Sequence, residues 1–210
     1  MQKALVLAAI FAATPYAEAA IDTFGDKTEF LNATGATDAT GPLPALSLGT
    51  HGGITVGSVD FIISRFRISD SSTRLPGLEI RMSRGVNNLP NESIDTVFAN
   101  PVFSAGFDFV EPQFDPNVNE TFVDSTFDVT LRSGATNVGA FTFNAPNDAA
   151  AFIGVWSDTA FDRLEIREIV GTDDNEFYGR FFTGTTALPG PSTFAVLALG
   201  GLTMLRRRTA

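Results

Sequence analysis

The chain has no cysteine, so no disulfide can staple it and no thiolate can serve as nucleophile or metal ligand. Histidine is reduced to His51 alone, in Gly49-Thr50-His51-Gly52-Gly53. A His-Gly-Gly run can form part of an esterase oxyanion hole, but the Gly-x-Ser-x-Gly elbow that reading needs is missing. Any Ser-His-Asp triad would have to use His51, and a zinc site would be left with carboxylates. Trp and Tyr are scarce too: Trp156, Tyr178 and Tyr16 are the whole set, against 20 Phe. Plain rings suit a dry core, whereas sugar platforms more often use Trp and Tyr, whose polar edges tolerate water.

Positive charge is short as well. Removing Lys3 and Arg206 to Arg208 from the 14 basic residues leaves 10, and removing Glu18 from the 24 acidic ones leaves 23. The body between 20 and 187 then stands near −13, against −10 for the whole chain. That balance repels phosphate backbones and argues against nucleic acid as a partner. It suits solubility, divalent cations or neutral glycans.

What is present is concentrated first at the two ends. Met1-Gln2-Lys3 is a basic lead, Ala4 to Ala13 an apolar stretch and Ala17-Glu18-Ala19 an Ala-x-Ala cleavage site, so residues 1–19 read as a signal peptide. At the other end stand Leu188, Pro189, Gly190, Pro191, Ser192 and Thr193, then an apolar segment Phe194 to Leu205, then Arg206, Arg207 and Arg208. As a helix, Ser192 to Leu205 would be roughly 21 Å long against about 30 Å of bilayer hydrocarbon. The three arginines form a membrane stop that stays on the cytoplasmic side and leaves everything before them outside.

A proline-spaced hexapeptide, a short hydrophobic helix and a terminal basic cluster, in that order, resemble the PEP-CTERM sorting signal of Gram-negative bacteria. The match departs at Gly190, where that family carries Glu between the prolines. The resemblance implies a processing enzyme of the exosortase type as partner. It also implies passage through the membrane to the cell surface or extracellular matrix, with 188–210 as the sorting and anchor segment.

The body from 20 to 187 has the length of one domain. Residues 21–35 predict a short strand and then a helix capped by Asp26, with Glu29 at the capping-box position, Phe30 and Leu31 facing inward and Gly35 ending it. Residues 36–53, rich in Thr, Gly, Pro and Ala, read as a loop. After them come short β segments: 54–56, 59–63, 66–68, 78–82, 94–98, 103–109, 127–132, 138–143, 151–156, 161–170 and 176–182. Leu78 to Met82 alternates cleanly, and in Phe161 to Val170 Leu164 and Ile166 point in while Arg163, Glu165 and Arg167 point out. Such a series of short strands without intervening helices predicts an all-β fold, an antiparallel β-sandwich or jelly roll, with one short N-terminal helix and a C-terminal hydrophobic helix. The runs Ala105 to Phe109, Phe127 to Leu131, Phe141 to Phe143, Phe152 to Val155 and Phe161 to Ile166 resemble the sandwich body often carried ahead of PEP-CTERM tails, itself similar to lectin-like jelly rolls.

Two acidic stretches are candidates for chemistry. Asp115, Asn117 and Asn119 reproduce the start of a calcium loop, but Glu120 occupies the sixth position, where an EF-hand needs Gly, and Thr126 the twelfth, where it needs Glu. A looser calcium site remains open, because hard cations accept oxygen ligands from irregular loops. Asp173, Asp174 and Glu176 could join such a site, or act as glycosidase carboxylates. Otherwise the chain names no cofactor and no catalytic residue. The expectation is an exported protein of the cell envelope, tethered by its C-terminal segment and not an enzyme. Its role is structural or adhesive in exopolysaccharide or biofilm; a carbohydrate- or ice-binding module and an envelope glycoside hydrolase are the alternatives.

Overall fold

The computed structural model describes residues 19–86, 92–112, 124–171 and 176–187. Strand β1 (Ile21–Phe24) leads into helix α1 (Lys27–Thr34). Asp26 caps the helix by accepting from the Glu29 N–H at 2.8 Å, and Gly35 closes it in the left-handed region at φ 66°. Phe30 is the buried anchor of the helix, packed against Phe152 and Phe182.

Eleven further strands complete an antiparallel all-β body: β2 (Thr37–Asp38), β3 (Leu46–Thr50), β4 (Ile54–Val56), β5 (Val59–Ile62), β6 (Arg65–Ser69), β7 (Glu79–Arg84), β8 (Ile94–Val110), β9 (Thr126–Ser133), β10 (Thr136–Phe143), β11 (Ala150–Val170) and β12 (Phe177–Gly184). All belong to one 12-stranded sheet whose main path runs β10-β9-β11-β8-β12-β7-β6-β3. The stretch 36–53, expected to be a loop, holds β2 and β3. The predicted strands at 94–98 and 103–109 are one 17-residue strand, and those at 151–156 and 161–170 are one of 21 residues.

These two long strands organise the fold. The first part of β8 pairs with β5 and with the second part of β11; its later part pairs with β12 and the first part of β11. Asn100 and Pro101 fall between the two ladders, as do Thr159 and Ala160 on β11. A proline has no N–H to give a ladder, so the join is where it is tolerated. Drawn out straight, β8 would span roughly 56 Å. Instead Glu92 and Glu111, just outside its two ends, take part in one hydrogen-bonded cluster described below. The two ends of β8 therefore come back toward one another, and β11, paired along both of its parts, follows it.

Phenylalanines dominate the core. Phe127 and Phe143, from β9 and β10, stack at 5.0 Å and meet Phe109 of β8 edge-on at 5.5 Å each. Phe61 of β5 meets Phe181 of β12 at 5.0 Å. Leu164 and Ile166 are buried as the alternation predicts, while Arg132 pairs with Glu165 at 3.0 Å on the outer side. Glu79 breaks the pattern expected of β7. It is fully buried and takes hydrogen bonds from the backbone N–H of Ser71 at 2.8 Å and from the N–H and hydroxyl of Ser72, pinning the 70–78 loop.

Candidate functional site

The end of the sheet where β8 and β11 both start and finish gathers four glutamates around Ser125: Glu92, Glu111, Glu168 and Glu176. Each stands just outside a strand or near the end of one, where the chain changes direction. The Ser125 N–H donates to Glu111 Oε1 at 2.6 Å, and its hydroxyl lies 2.9 Å from Glu176 Oε1 and 3.4 Å from Glu168 Oε1. The Glu92 N–H donates to Glu168 Oε2 at 3.0 Å, and the Glu176 N–H to Glu92 Oε2 at 2.6 Å. On the flank, the Asn147 amide is oriented by its surroundings to donate to Asp124 Oδ1 at 3.1 Å and Glu111 Oε1 at 3.2 Å.

Burial makes this arrangement unusual. Glu92, Glu111, Glu176 and Ser125 are all at most 1% exposed, and Glu168 is half-buried. A hydroxyl carries one proton, so Ser125 can satisfy only one of the two carboxylates it touches at a time. Glu92 Oε1, Glu176 Oε2 and the Tyr178 hydroxyl have no hydrogen-bond partner among the described residues. Glu79 is buried just as deeply, yet the 71–72 loop gives hydrogen bonds to both its oxygens. Arg167 is engaged elsewhere, with Asp95 at 2.5 Å and the carbonyls of Ile94 and Ile166.

The electrostatics follow from that burial. Loss of water pushes the Glu176 carboxyl up to about 8, against a smaller lowering by its hydrogen bond to backbone. Burial likewise raises the Tyr178 hydroxyl well above its ordinary value; the charges of Glu176 and Glu168 add to the rise and Arg167 opposes it. Gly171, at φ 148°, lies against the same cluster, and a Cβ there would collide with the Glu168 carboxylate and the Ser125 hydroxyl. Chemically the cluster can hold protons on its buried carboxyls. Among the described residues, no three acidic or histidine side chains gather closely enough to hold a metal ion as they stand.

Of the residues the sequence singled out, only Glu176 enters this cluster. It is deep inside rather than on a polar turn. Asp115, Asn117, Asn119, Asp173 and Asp174 lie outside the described residues, as do Ala17, the hexapeptide Leu188 to Thr193, the apolar segment Phe194 to Leu205 expected to be a helix, and Arg206 to Arg208. Ala19 is described, half-buried just ahead of β1. Among the described residues no helix is long and apolar enough to cross a membrane. Glu92, Glu111 and Glu168 stand far apart in the sequence, and only the fold assembles them.

His51 sits in the β3–β4 loop, its ring edge-on to Phe66 at 5.0 Å and its Nε2 3.0 Å from the Ser47 carbonyl. Trp156 is 3% exposed and Tyr178 fully buried, so neither offers a face on which a sugar could stack. Two open hollows, one along Ala45 to Leu48 and Arg67 to Ser69, the other at Gly52 to Thr55 and Asp60 to Ile62, hold no carboxylate pair. No family model matches the chain, and no curated protein matches it.

Proposed function

We propose that the chain is an exported, non-catalytic surface or extracellular-matrix protein, tethered at the envelope by its C-terminal segment, with a structural or adhesive role in exopolysaccharide or biofilm. Its body is read as a β-sandwich of the jelly-roll kind, made by the doubling back of β8 and β11. Residues 1–19 act as the export signal, and 188–210 as the segment that an exosortase-type enzyme would process before release to the surface.

The observation that carries this reading is the placing of address-like segments at both ends of an acidic, cysteine-free chain. A short apolar run followed by three arginines is poorly suited to water and well suited to a bilayer. The body supports the non-catalytic part, since its carboxylate cluster is buried and its sugar-stacking aromatics are internal. That burial also weighs against the carbohydrate-binding alternative and against a glycosidase built on Glu176.

The test is fractionation of cells expressing the chain, with the mass of the exported form determined at its C-terminus. The expected result is loss of residues 1–19, recovery in envelope and extracellular fractions, and a C-terminus near Pro189-Gly190-Pro191 in the released form. Recovery from the cytoplasm with both ends intact overturns the reading.

A further inference from the structure

Strands β6 and β7 put arginine opposite arginine. Their ladder sets Arg65 against Arg84 and Arg67 against Arg81, so four of the 10 basic residues of the body stand on one pair of neighbouring strands. Like charges directly opposite one another weaken a sheet, and the body is otherwise acidic, so neither strand pairing nor composition accounts for the placement. Arg65 and Arg67 alternate with the buried Phe66 and Ile68, which turns both arginines to the outer face of the sheet. Neither joins an ion pair among the described residues, whereas Arg132, Arg163 and Arg167 of β9 and β11 are each matched with an acid. The Arg67 Nε is buried and has no hydrogen-bond partner among the described residues, which is a cost the fold carries. Glu79, the acid of β7, does not relieve it, since Ser71 and Ser72 occupy both its oxygens.

A second feature adjoins the arginines. One of the two open hollows runs along β3 and β6, with Arg67, Ser47, Ser69 and the 46%-exposed Leu48 in its lining. Arg81, opposite Arg67 in the ladder, lies 5.9 Å from the centre of the Phe177 ring. A guanidinium presents a planar fork of N–H donors that fits a carboxylate through two parallel hydrogen bonds. Arginines two apart on a strand repeat every ~6.6 Å and opposite ones stand about 5 Å apart, so the face offers several forks to a ligand carrying several spaced anions.

The charge of the rest of the chain selects among such ligands. A body near −13 repels a nucleic acid backbone or an anionic bilayer, because each brings dense or extended negative charge up to more than the local patch. A single polysaccharide strand with one carboxylate per sugar ring meets the patch alone, and the serine hydroxyls and Leu48 match its hydroxyls and ring faces. We infer that the outer face of β6 and β7, with the hollow toward β3, binds an acidic polysaccharide of the uronic acid type, Arg65 and Arg67 pairing with its carboxylates and Arg81 extending the row. The inference rests on the proposed role in exopolysaccharide and gives that role a site, in which adhesion runs through ion pairs and not through stacked aromatics. The two fail separately: fractionation reads where the chain goes, and binding reads what the purified chain holds.

The experiment uses the full-length chain in mild detergent with EDTA at low salt, titrated with oligogalacturonate and followed by isothermal titration. Neutral dextran, phosphatidylglycerol vesicles and single-stranded DNA are the parallel probes. Oligogalacturonate is expected to bind saturably, to weaken as salt is raised and to bind more tightly than the other three. Arg65→Gln and Arg67→Gln should each lower the affinity by about tenfold, as loss of one charge-assisted hydrogen-bonded contact does. Arg132→Gln removes the same charge from β9 and should leave the affinity unchanged. Arg65 is exposed, so its variant tests the site independently of how well Arg67→Gln folds. Absence of saturable binding at about 1 mM oligosaccharide overturns the inference. So does an affinity undisturbed in both Arg65→Gln and Arg67→Gln, or binding that requires calcium in place of EDTA, which would put the glycan on the acids. Equal losses in Arg65→Gln and Arg132→Gln overturn it as an effect of overall charge, and tighter binding of the vesicles or the DNA overturns the choice of ligand.

Discussion

The Glu176 N–H donates to Glu92 Oε2 at 2.6 Å, closing a contact between residues 84 apart in the chain. Glu92 precedes β8 and Glu176 precedes β12, so the bond ties together two strand entries. With Ser125 ahead of β9 and Glu111 beyond β8, it belongs to a set of hydrogen bonds that joins four strand ends. Such a clasp is made of acids, so its strength depends on what neutralises them.

The first prediction concerns pH. The Glu176 carboxyl is raised from 4.5 to about 8 in the folded protein. A raised acid binds its proton more tightly when folded, so its contribution is fully present below pH 4.5 and is lost as pH rises through 8. In EDTA, the unfolding free energy should therefore fall between about pH 5 and 8, by at most about 1.4 kcal/mol per pH unit from this one group. Glu176→Gln should flatten that slope. Chemical denaturation at a series of pH values measures it, and stability that holds steady or climbs over this range in the parent contradicts the assignment.

Lys27 is the only lysine between the two terminal segments. Its Nζ reaches both carboxylate oxygens of Asp108 at 2.9 Å and lies 4.0 Å from the centre of the Phe182 ring. Asp108 is 10% exposed at its side chain and Lys27 34%, so water screens one partner and hardly the other. Lys27→Ala should cost about 1–3 kcal/mol, less than the loss of a fully buried pair, because the lysine is itself part-exposed and its removal opens Asp108 to water. Asp108→Ala made together with it should recover part of the loss in a double-mutant cycle. Additive losses would show that the pair contributes nothing as a pair.

Trp156 gives a direct optical check on the sugar-stacking alternative. At 3% exposure, in the part of β11 that pairs with β1, its fluorescence should be blue-shifted and insensitive to added polysaccharide. Trp156→Phe should reduce stability by a few kcal/mol through lost volume and leave retention on exopolysaccharide unchanged. Quenching of the native emission by soluble glycan, or loss of retention in the variant, would move the glycan onto this residue.

How much of the fold is legible in the sequence depends on how local each signal is. The helix can be read because Asp26 and Gly35 mark its ends within a few residues of each other. The β9–β10 hairpin can be read because alternation on both sides frames the turn at Gly134, which has φ 58°. Strand β3 is hidden because its Leu-Ser-Leu-Gly-Thr run is half-exposed and lacks an inward apolar row. The unity of β8 is hidden because Asn100-Pro101 looks like a break, and here the break is a bend within one strand. The glutamate cluster is the least legible, since its members are scattered from 92 to 176. The only hint is an acid set directly against apolar residues, as with Glu111 after Phe109-Val110.

The last prediction is at Gly171, where backbone and cluster constrain the same residue. Its φ of 148° lies in a region that side-chain-bearing residues rarely adopt, so alanine there is strained before any contact is considered. The added methyl would also meet the Glu168 carboxylate and the Ser125 hydroxyl, both hydrogen-bonded into the cluster. Backbone strain alone costs about 1–3 kcal/mol. If displacement of Glu168 adds to it, Gly171→Ala should lose more than that, and the excess should shrink when it is combined with Glu168→Ala, which clears the methyl's path. Gly77, at φ 102° with nothing within 4 Å of where a methyl would stand, is the control: Gly77→Ala carries the strain without the collision. Equal losses at the two glycines would mean that the space beside Glu168 yields easily and is not closely packed.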